Sequence, residues 1–307
     1  MKSEAELQVF YSTKLQPALE PMEKYRIEMV QKIKNNLFFA IICSLLIVLG
    51  AMSKQPILIF ILSIPAFCFL GFAYQTFSKM LSLLTNQFKN QILPELLSFL
   101  FDDIEYIAGQ RIAKSVLEKS MLFPNQIAIA TGEDFMQFKL GETMIMFCET
   151  TVLSNRKRVV FNGIFISASF NKNFISKTFV LPSKLSTFYH RIKKQLLYDF
   201  QRVKLEDMEF SKEFIVLSAD QVEARYILSP SLMQRILDYK RKTKKGISFS
   251  FVDNHLYCAI PNYIDLFETT LFEPFDLPFI KKNYNPLKLY TDLVEDLNLN
   301  LRIWSKQ

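Results

Sequence analysis

Two long apolar runs without a charge stand close together near the start of the chain. They cover residues 37–52 and 56–74, and only the three residues 53–55 separate them. A helix needs about 20 apolar residues to cross a hydrocarbon core of ~30 Å, so both runs are long enough once polar flanking residues lie in the interface. The pattern predicts a transmembrane hairpin with spans at about 37–53 and 56–74. Two buried core helices and a signal peptide are the alternatives.

The distribution of lysine and arginine around the two runs predicts their orientation. Basic residues are concentrated before the first span, whereas the connection holds only Lys54 and the stretch after the second span holds Lys79 and Lys89. By the positive-inside rule, the flanks rich in lysine and arginine stay in the cytoplasm. Both termini are therefore expected in the cytoplasm, with a tight turn outside.

Amphipathic stretches flank the predicted hairpin on both sides. Apolar residues recur at helical spacing within the cytoplasmic N-terminal helix predicted over residues 1–36, and again over 75–122. Two such stretches that leave one hairpin side by side are expected to pack on each other as a helical stalk. A coiled coil that binds a partner is the alternative.

Beyond residue 125 the pattern changes to short β segments with helices between them. Runs rich in Val, Ile, Phe and Thr predict strands at 127–130, 143–153, 158–170, 178–181, 247–251 and 255–260, with a hairpin turn at Asp253–Asn254. Helices are predicted at 189–200, at 232–242 behind Ser229–Pro230, and at 287–297 behind Asn285–Pro286. The predicted fold class is α+β: a two-helix transmembrane hairpin with a helical stalk, followed over residues 125–307 by a mainly antiparallel-sheet cytoplasmic domain with flanking helices.

Composition excludes several function classes. With 7 glycines in 307 residues, the chain has no Gly-rich phosphate-binding motif of the dinucleotide or P-loop type. The two histidines and four cysteines lack the spacings of zinc sites. We therefore predict no metal, no cofactor and no catalytic residue, and the balance leans away from an enzyme.

A net charge of +7 comes partly from two basic clusters. They contain Arg156, Lys157 and Arg158 at a predicted hairpin tip, and Lys240, Arg241, Lys242, Lys244 and Lys245 at the end of a predicted helix. In a membrane-tethered protein, such clusters fit anionic lipid head groups. Simple solvated loops are an equal alternative, whereas nucleic acid is disfavoured because no nucleic-acid-binding motif accompanies the charge.

Three polar residues of one segment form a possible polar site. Asp220 and Glu223 lie three positions apart, near one face of a predicted helix, and Arg225 follows them. Paired carboxylates can act in acid–base chemistry or hold a metal. The simpler interpretation is a helix cap, with Ser218 or Asp220 as the capping residue, a capping box closed by Gln221 or Glu223, and a local partner for Arg225.

Two further groups contain residues that can act in catalysis or cation binding, but a structural role is favoured for each. Cys148 lies in an alternating β run, so a packed thiol is favoured over a nucleophile activated by His190 or His255. The pair Glu133–Asp134 falls in a predicted turn and is expected to be solvated rather than to bind a cation.

Several phrases of the sequence resemble a known family. They include Gly132-Glu133-Asp134-Phe135, Phe161-Asn162-Gly163-Ile164-Phe165 and, as the most specific, the segment 218–230 with sequence SADQVEARYILSP. The chain is similar over nearly its whole length to a bacterial two-span membrane family catalogued as a domain of unknown function, some of whose members carry the automatic label galanin. The resemblance implies an inner-membrane protein with a large cytoplasmic domain, and it implies no reaction or ligand. Cys148 departs from the family pattern, which has a small polar residue there.

These observations together predict an inner-membrane-anchored cytoplasmic binding or scaffold module. The expected partners are the lipid bilayer, anionic lipid head groups, and another membrane protein or a second copy of the chain. The alternatives are a membrane-tethered enzyme that uses the region of Asp220, Glu223 and Arg225, and an accessory subunit of a transporter or envelope complex.

Overall fold

A computed structural model describes residues 2–52, 56–123, 127–140, 143–169, 174–183, 200–262 and 266–301. The chain divides into two compact units, each built from two separate stretches of sequence. The helical unit contains Lys2–Leu96 and Phe267–Tyr284, and the sheet unit contains Leu97–Leu266 and Asn285–Gln307. Helices and a mainly antiparallel sheet are both present, so the predicted α+β class is confirmed.

The helical unit begins with a capped helix that leads into the first apolar run. Ser3 caps α1 (Glu4–Phe10) through a capping box with Glu6, whose backbone N–H donates to Ser3 Oγ at 3.3 Å. A π-helical turn at Tyr11–Leu15 follows, and α2 (Gln16–Met52) then continues through the whole apolar run. The predicted N-terminal helix and the first span are therefore one nearly continuous helix.

The second apolar run forms α3 (Pro56–Gln87), which packs beside α2. Proline is favoured at a first helical position, where α3 has Pro56, and the helix continues through its internal Pro65. A π-helical turn at Phe88–Ile92 follows, and α4 (Leu93–Leu100) completes the series.

Both π-helical turns end two residues before a proline, Pro17 in one case and Pro94 in the other. A proline has no backbone N–H to donate to the carbonyl four residues earlier, and its ring clashes with that carbonyl. A π-helical turn widens the backbone by one residue and is a known way to absorb such a break. Each helix thus passes its proline without ending.

Both apolar helices are long and apolar enough to cross a membrane. Only 11% of the most apolar stretch of each is buried, and side chains such as Phe38, Leu45 and Phe67 are largely exposed. Core helices of a soluble domain would bury this surface. The described residues therefore contain two candidate membrane helices, and the alternative of two buried core helices is wrong.

The second stretch of the helical unit, Phe267–Tyr284, packs against α2, α3 and the second π-helical turn. Lys89, which is 4% exposed, forms an ion pair of 2.9 Å with Glu268. Arg26 pairs with Glu23 and donates to the carbonyl of Leu271 at 2.7 Å. The ring of Phe88 meets that of Phe279 edge to face, with centroids 5.0 Å apart. We call this stretch the return segment.

The sheet unit is built on nine antiparallel strands in the order β1-β2-β3-β4-β9-β8-β5-β7-β6. The strands are β1 (Glu105–Ile107), β2 (Ile129–Leu140), β3 (Thr143–Leu153), β4 (Val159–Ser169), β5 (Thr178–Pro182), β6 (Gln201–Arg202), β7 (Phe214–Ser218), β8 (Ser248–Val252) and β9 (His255–Pro261). Every residue of β5 and β8 is buried, because side chains cover both faces of the sheet there. The predicted hairpin turn at Asp253–Asn254 joins β8 to β9, with Asp253 in the left-handed region that aspartate tolerates.

The described residues contain five further helices: α5 (Lys114–Lys119), α6 (Met208–Glu213), α7 (Gln221–Ile227), α8 (Pro230–Thr243) and α9 (Leu277–Leu301). The first residues of α9, up to Tyr284, belong to the return segment. α8 begins as predicted, with Ser229 as its cap and Pro230 at its first position. The predicted start at Asn285–Pro286 is wrong. The helix begins at Leu277, where Asp276 accepts a hydrogen bond from the Phe279 N–H, and Pro286 lies inside it. The predicted helix at 189–200 lies almost entirely outside the described residues.

The predicted turn at residues 131–134 is also wrong. These residues continue β2, and a β-bulge between Glu133 and Met136 accommodates them. The bulge places Asp134 at a φ of 57°. Bulges take up residues that a regular strand cannot accommodate, which explains why turn-forming residues occur in mid-strand.

Gly163 tests the contact between β4 and β9. A Cβ atom at this position would lie 2.2 Å from the backbone oxygen of Ile260, and its φ of +156° is one that L side chains rarely adopt. We expect Gly163→Ala to destabilise the protein by about 1–3 kcal/mol, measured as a lower midpoint of thermal unfolding in detergent. Gly109→Ala is the matched control, because no atom lies within 4 Å of its added methyl group. Equal midpoints for the two variants would contradict the described pairing.

Candidate functional site

The structure assigns a backbone contact to each of the three residues of the predicted polar site. Asp220 is the N-cap of α7 and accepts hydrogen bonds from the N–H groups of Val222 at 2.7 Å and Glu223 at 3.0 Å. Arg225 donates from Nε to the carbonyl of Lys204 at 3.2 Å. Asp220 therefore satisfies the free N–H groups at the start of the helix, and Arg225 ties α7 to the chain next to β6.

Glu223 makes the most specific contact of the three. Glu223 is 7% exposed, and its two carboxylate oxygens accept hydrogen bonds from the N–H groups of Ile175 at 2.7 Å and Ser176 at 2.6 Å. A capping box would have turned this side chain back toward the N-cap backbone. Glu223 instead anchors the chain that enters β5, a contact between residues 47 or more positions apart that local sequence spacing does not indicate.

A substitution at Glu223 separates a structural role from a chemical one. Glu223→Gln replaces one accepting oxygen by an NH₂ group that faces a backbone N–H, so we expect a loss of about 1–3 kcal/mol of stability and a lower unfolding midpoint. Glu206→Gln, at an exposed position, is the control and should leave the midpoint unchanged. A cellular phenotype lost at an unchanged midpoint would instead favour a chemical role for the segment.

An acidic cluster lies under the bulge of β2, where sequence analysis expected a solvated turn. Glu133 pairs across the strands with Glu149, and Asp134 stands next to them. One carboxylate oxygen of each residue lies within 4.8 Å of the others. Asp134 is fully buried and Glu133 is half-buried, so the expectation that this pair is solvated is wrong. Glu149 is 9% exposed.

Two carboxylates of this cluster, those of Asp134 and Glu149, accept hydrogen bonds from other groups of the protein. Asp134 accepts from the Tyr106 hydroxyl at 2.6 Å, and Glu149 accepts from the Leu266 N–H at 2.5 Å. Burial, and then the charge of Asp134, raise the pKa of Tyr106 well above its usual range. Three clustered carboxylates are chemically able to hold a hard divalent cation, and here they also fix β1 and the chain after β9.

Sequence analysis missed Glu149 as a member of this group. The pairing of β2 with β3 brings Glu133 opposite Glu149, and the two neighbouring β runs in the sequence were the signal for it. The mistaken turn at 131–134 hid it.

Cys148 and Cys258 are packed thiols. Both are buried, and the Cys148 thiol donates toward the carbonyl of Glu149 at 3.1 Å. Burial is the largest cause that raises the pKa of Cys148 to about 11, and burial raises the pKa of Cys258 as well. His255 stacks on Tyr257, and burial lowers its pKa. His190 lies outside the described residues. The predicted packed thiol at Cys148 is confirmed.

These thiols are expected to resist alkylation in the folded protein. At pH 8, a thiol with a pKa of about 11 is ionised in about one molecule in a thousand, and burial blocks access as well. In a variant with Cys43→Ser and Cys68→Ser, iodoacetamide should leave Cys148 and Cys258 unmodified, as read by mass spectrometry. Met208→Cys, at an exposed position, should be modified under the same conditions, and unfolding in guanidinium should make all three react. Rapid modification of Cys148 in the folded protein would contradict the assignment.

The two predicted basic clusters differ in their surroundings. Arg156, Lys157 and Arg158 form the exposed turn between β3 and β4. In the second cluster, Lys240 pairs with Glu213 and Arg241 with Glu209 and Asp238. The Lys245 ammonium donates to Asn262 Oδ1 at 2.7 Å, and partial burial lowers its pKa. Within the described part of the chain, only Lys242 and Lys244 of this cluster point to solvent without a partner.

Both clusters lie at the same end of the sheet. β4 begins next to the basic turn, and its Gly163 pairs with Pro261 at the end of β9. β8 begins at the same end, since Ser248 pairs with Ala259. Lys244, which ends α8, lies four residues before β8.

The helical unit carries a shallow groove of about 640 Å³ on one face of α3 and the turn after it. Most of its lining side chains are uncharged and polar, and all eight are Ser78, Lys79, Ser82, Leu83, Asn86, Gln87, Asn90 and Gln91. Hydroxyl and amide groups both donate and accept hydrogen bonds, so this face has no preference for one charge.

One part of the chain, residues 159–299, matches a known protein family. This range, from the start of β4 into α9, matches the model of a family described as Protein of unknown function (DUF3137). No curated protein matches the chain significantly. A crystal structure of the mycobacterial trehalose monomycolate transport factor A, TtfA, is 8% identical and aligns over 63% of this chain and 88% of its own, with a TM-score of 0.35, which does not establish a shared fold. The match over residues 159–299 thus confirms the expected resemblance to a domain of unknown function.

Proposed function

We propose that the protein is a cytoplasmic binding or scaffold module anchored in the bacterial inner membrane by α2 and α3. The observation that carries the proposal is the exposed apolar surface of these helices, of which only 11% is buried in the most apolar stretches. Soluble monomers rarely expose contiguous apolar surface on this scale, whereas lipid covers it without cost. Helices also satisfy their own backbone hydrogen bonds, as a bilayer requires.

The orientation with both termini in the cytoplasm rests on the charges next to the helices. Arg26 lies before the first span, and Lys79 and Lys89 follow the second, whereas the connection carries Lys54 alone. The chain that follows α4 would then stand on the cytoplasmic side, where Cys148 and Cys258 would remain reduced.

A binding role is favoured over catalysis, because the candidate polar side chains hold the backbone in place. Asp220, Glu223 and Arg225 hold the backbone, and Cys148 is buried with a raised pKa. A membrane-tethered enzyme that uses the Asp220 segment would need these contacts to break. That enzyme, and an accessory subunit of a transporter or envelope complex, are the competing proposals.

The proposed partners follow from the same surfaces. The bilayer would contact α2 and α3, and another membrane protein or a second copy of the chain would meet a mainly uncharged polar face, with the single charge of Lys79, at the groove of α3. Nucleic acid is disfavoured, because several basic side chains of the second cluster already pair with Glu209, Glu213 and Asp238.

Reporter fusions test the anchor and its orientation. We expect a fluorescent protein fused after Gln307 to fluoresce and alkaline phosphatase at the same position to be inactive, because phosphatase folds only outside the cytoplasm. Phosphatase inserted at Lys54 should be active. The full chain should also stay in the membrane pellet after alkaline carbonate extraction. Release into the supernatant, or an active phosphatase after Gln307, would overturn the proposal.

A further inference from the structure

We propose that one end of the sheet docks on an anionic lipid surface, with an apolar row inserted between head groups and a basic turn bound to their phosphates. The row consists of Ile129, Leu153 and Val159, and the turn consists of Arg156, Lys157 and Arg158. We call the two together the docking end. The inference rests on the proposed membrane anchor and deepens it, since it names the surface that the sheet unit would contact.

The apolar row follows from strand register. Ile129 at the start of β2 is the cross-strand partner of Leu153 in β3, and Leu153 is the partner of Val159 in β4. Paired residues of antiparallel strands lie side by side, so Ile129 and Leu153 are neighbours, and Val159 pairs with Leu153 next to a β-bulge in the ladder. Ile129 is 43% exposed and Val159 is 62% exposed, although most apolar side chains of these strands are buried.

The basic turn is ordered by its own backbone. The Lys157 N–H donates to the Ser154 carbonyl at 2.8 Å, and the Ser154 N–H donates to the Arg158 carbonyl at 2.9 Å. All three basic residues are exposed, and none has an ion-pair partner within the part of the chain that the structure describes. Their charges are therefore available to a ligand, in contrast to Lys240 and Arg241.

More positive charge lies at the same end of the sheet. Lys242 and Lys244 at the end of α8 are exposed, and the register of β4, β9 and β8 brings this helix end to the end that bears the turn. The neighbouring Lys240 and Arg241 add little net positive charge, because their acidic partners neutralise them. The free charge of the docking end thus comes first from the turn.

An anionic bilayer fits this combination better than other partners. Polyanions alone would leave the exposed Val159 in water, and an apolar protein surface would have to desolvate three charges. At the interface of an anionic membrane, apolar side chains reach the acyl boundary while basic side chains bind head groups. The docking end belongs to the same chain as the proposed membrane helices. This linkage raises the effective concentration of lipid near it.

The expected size of the effect follows from the charges. Each basic residue near an anionic surface contributes about 1 kcal/mol, so removal of the three should lower the docking equilibrium constant on the order of 100-fold. The attraction should also weaken as the Debye length falls from ~10 Å at low salt to ~3 Å in molar salt.

A fluorescent probe on the full chain measures docking directly. Asn155→Cys, in a variant with Cys43→Ser and Cys68→Ser, places a solvent-sensitive label on the turn. The protein is reconstituted into vesicles of phosphatidylcholine alone or with a quarter phosphatidylglycerol. We expect a blue shift of the label only in the anionic vesicles, reversed by high salt. A label at Ile175→Cys, which is 91% exposed near the start of β5 at the opposite end of the sheet, should not shift.

Two sets of variants assign the shift to the docking end. Arg156→Gln, Lys157→Gln and Arg158→Gln together should abolish it, and Val159→Asp should do so while the turn keeps its charge. Lys119→Gln, Lys139→Gln and Lys204→Gln remove the same charge from other exposed positions and should preserve the shift. An equal loss in this control set would show a general charge effect and overturn the inference.

The remaining outcomes are equally decisive. Equal shifts in neutral and anionic vesicles, or no shift in either, would overturn docking on anionic lipid. A shift produced by duplex DNA at matched salt, stronger than that produced by vesicles, would assign the basic turn to nucleic acid and overturn it too. The proposed anchor would survive each of these results, because it is judged by the reporter fusions and by carbonate extraction.

Discussion

Exposed apolar surface on α2 and α3 is the constraint on which the rest of the protein depends. The other parts of the helical unit, including the return segment, leave side chains such as Phe38 and Phe67 exposed. In water this surface would favour aggregation, and the proposed lipid anchor would cover it. Within the helical unit, the contacts with the return segment lie on the polar parts of the helices, around Arg26 and Lys89.

Features governed by short-range chemistry could be predicted from the sequence. The start of α8 at Ser229–Pro230 and the turn at Asp253–Asn254 depend on residues next to each other, and both are present. The apolar runs were equally clear, because the length of a span requires no knowledge of tertiary contacts. The α+β class followed from the change in hydrophobic period along the chain.

Features governed by distant contacts could not be predicted. Asn285–Pro286 has the composition of a helix start, but the cap at Asp276 begins α9 earlier and the helix tolerates the proline. Glu133 and Asp134 have the composition of a turn, but pairing with β3 keeps them in a strand. Gln221 or Glu223 is expected to close a capping box, but Glu223 is held by the N–H groups of Ile175 and Ser176. In each case the residues can adopt more than one local conformation of similar energy, and a contact with a distant part of the chain stabilises one of them.

The helical unit is assembled from sequence segments separated by the whole stretch Leu97–Leu266. A ribosome makes chains from the N-terminus, and domains generally fold as units during synthesis. α2 and α3 are therefore complete, and able to enter a bilayer, long before Glu268 and Leu271 exist to meet Lys89 and Arg26. On the proposed anchor, membrane insertion comes first and closure of the helical unit last. A chain truncated before the return segment would lack Glu268 and the Leu271 carbonyl as partners of Lys89 and Arg26.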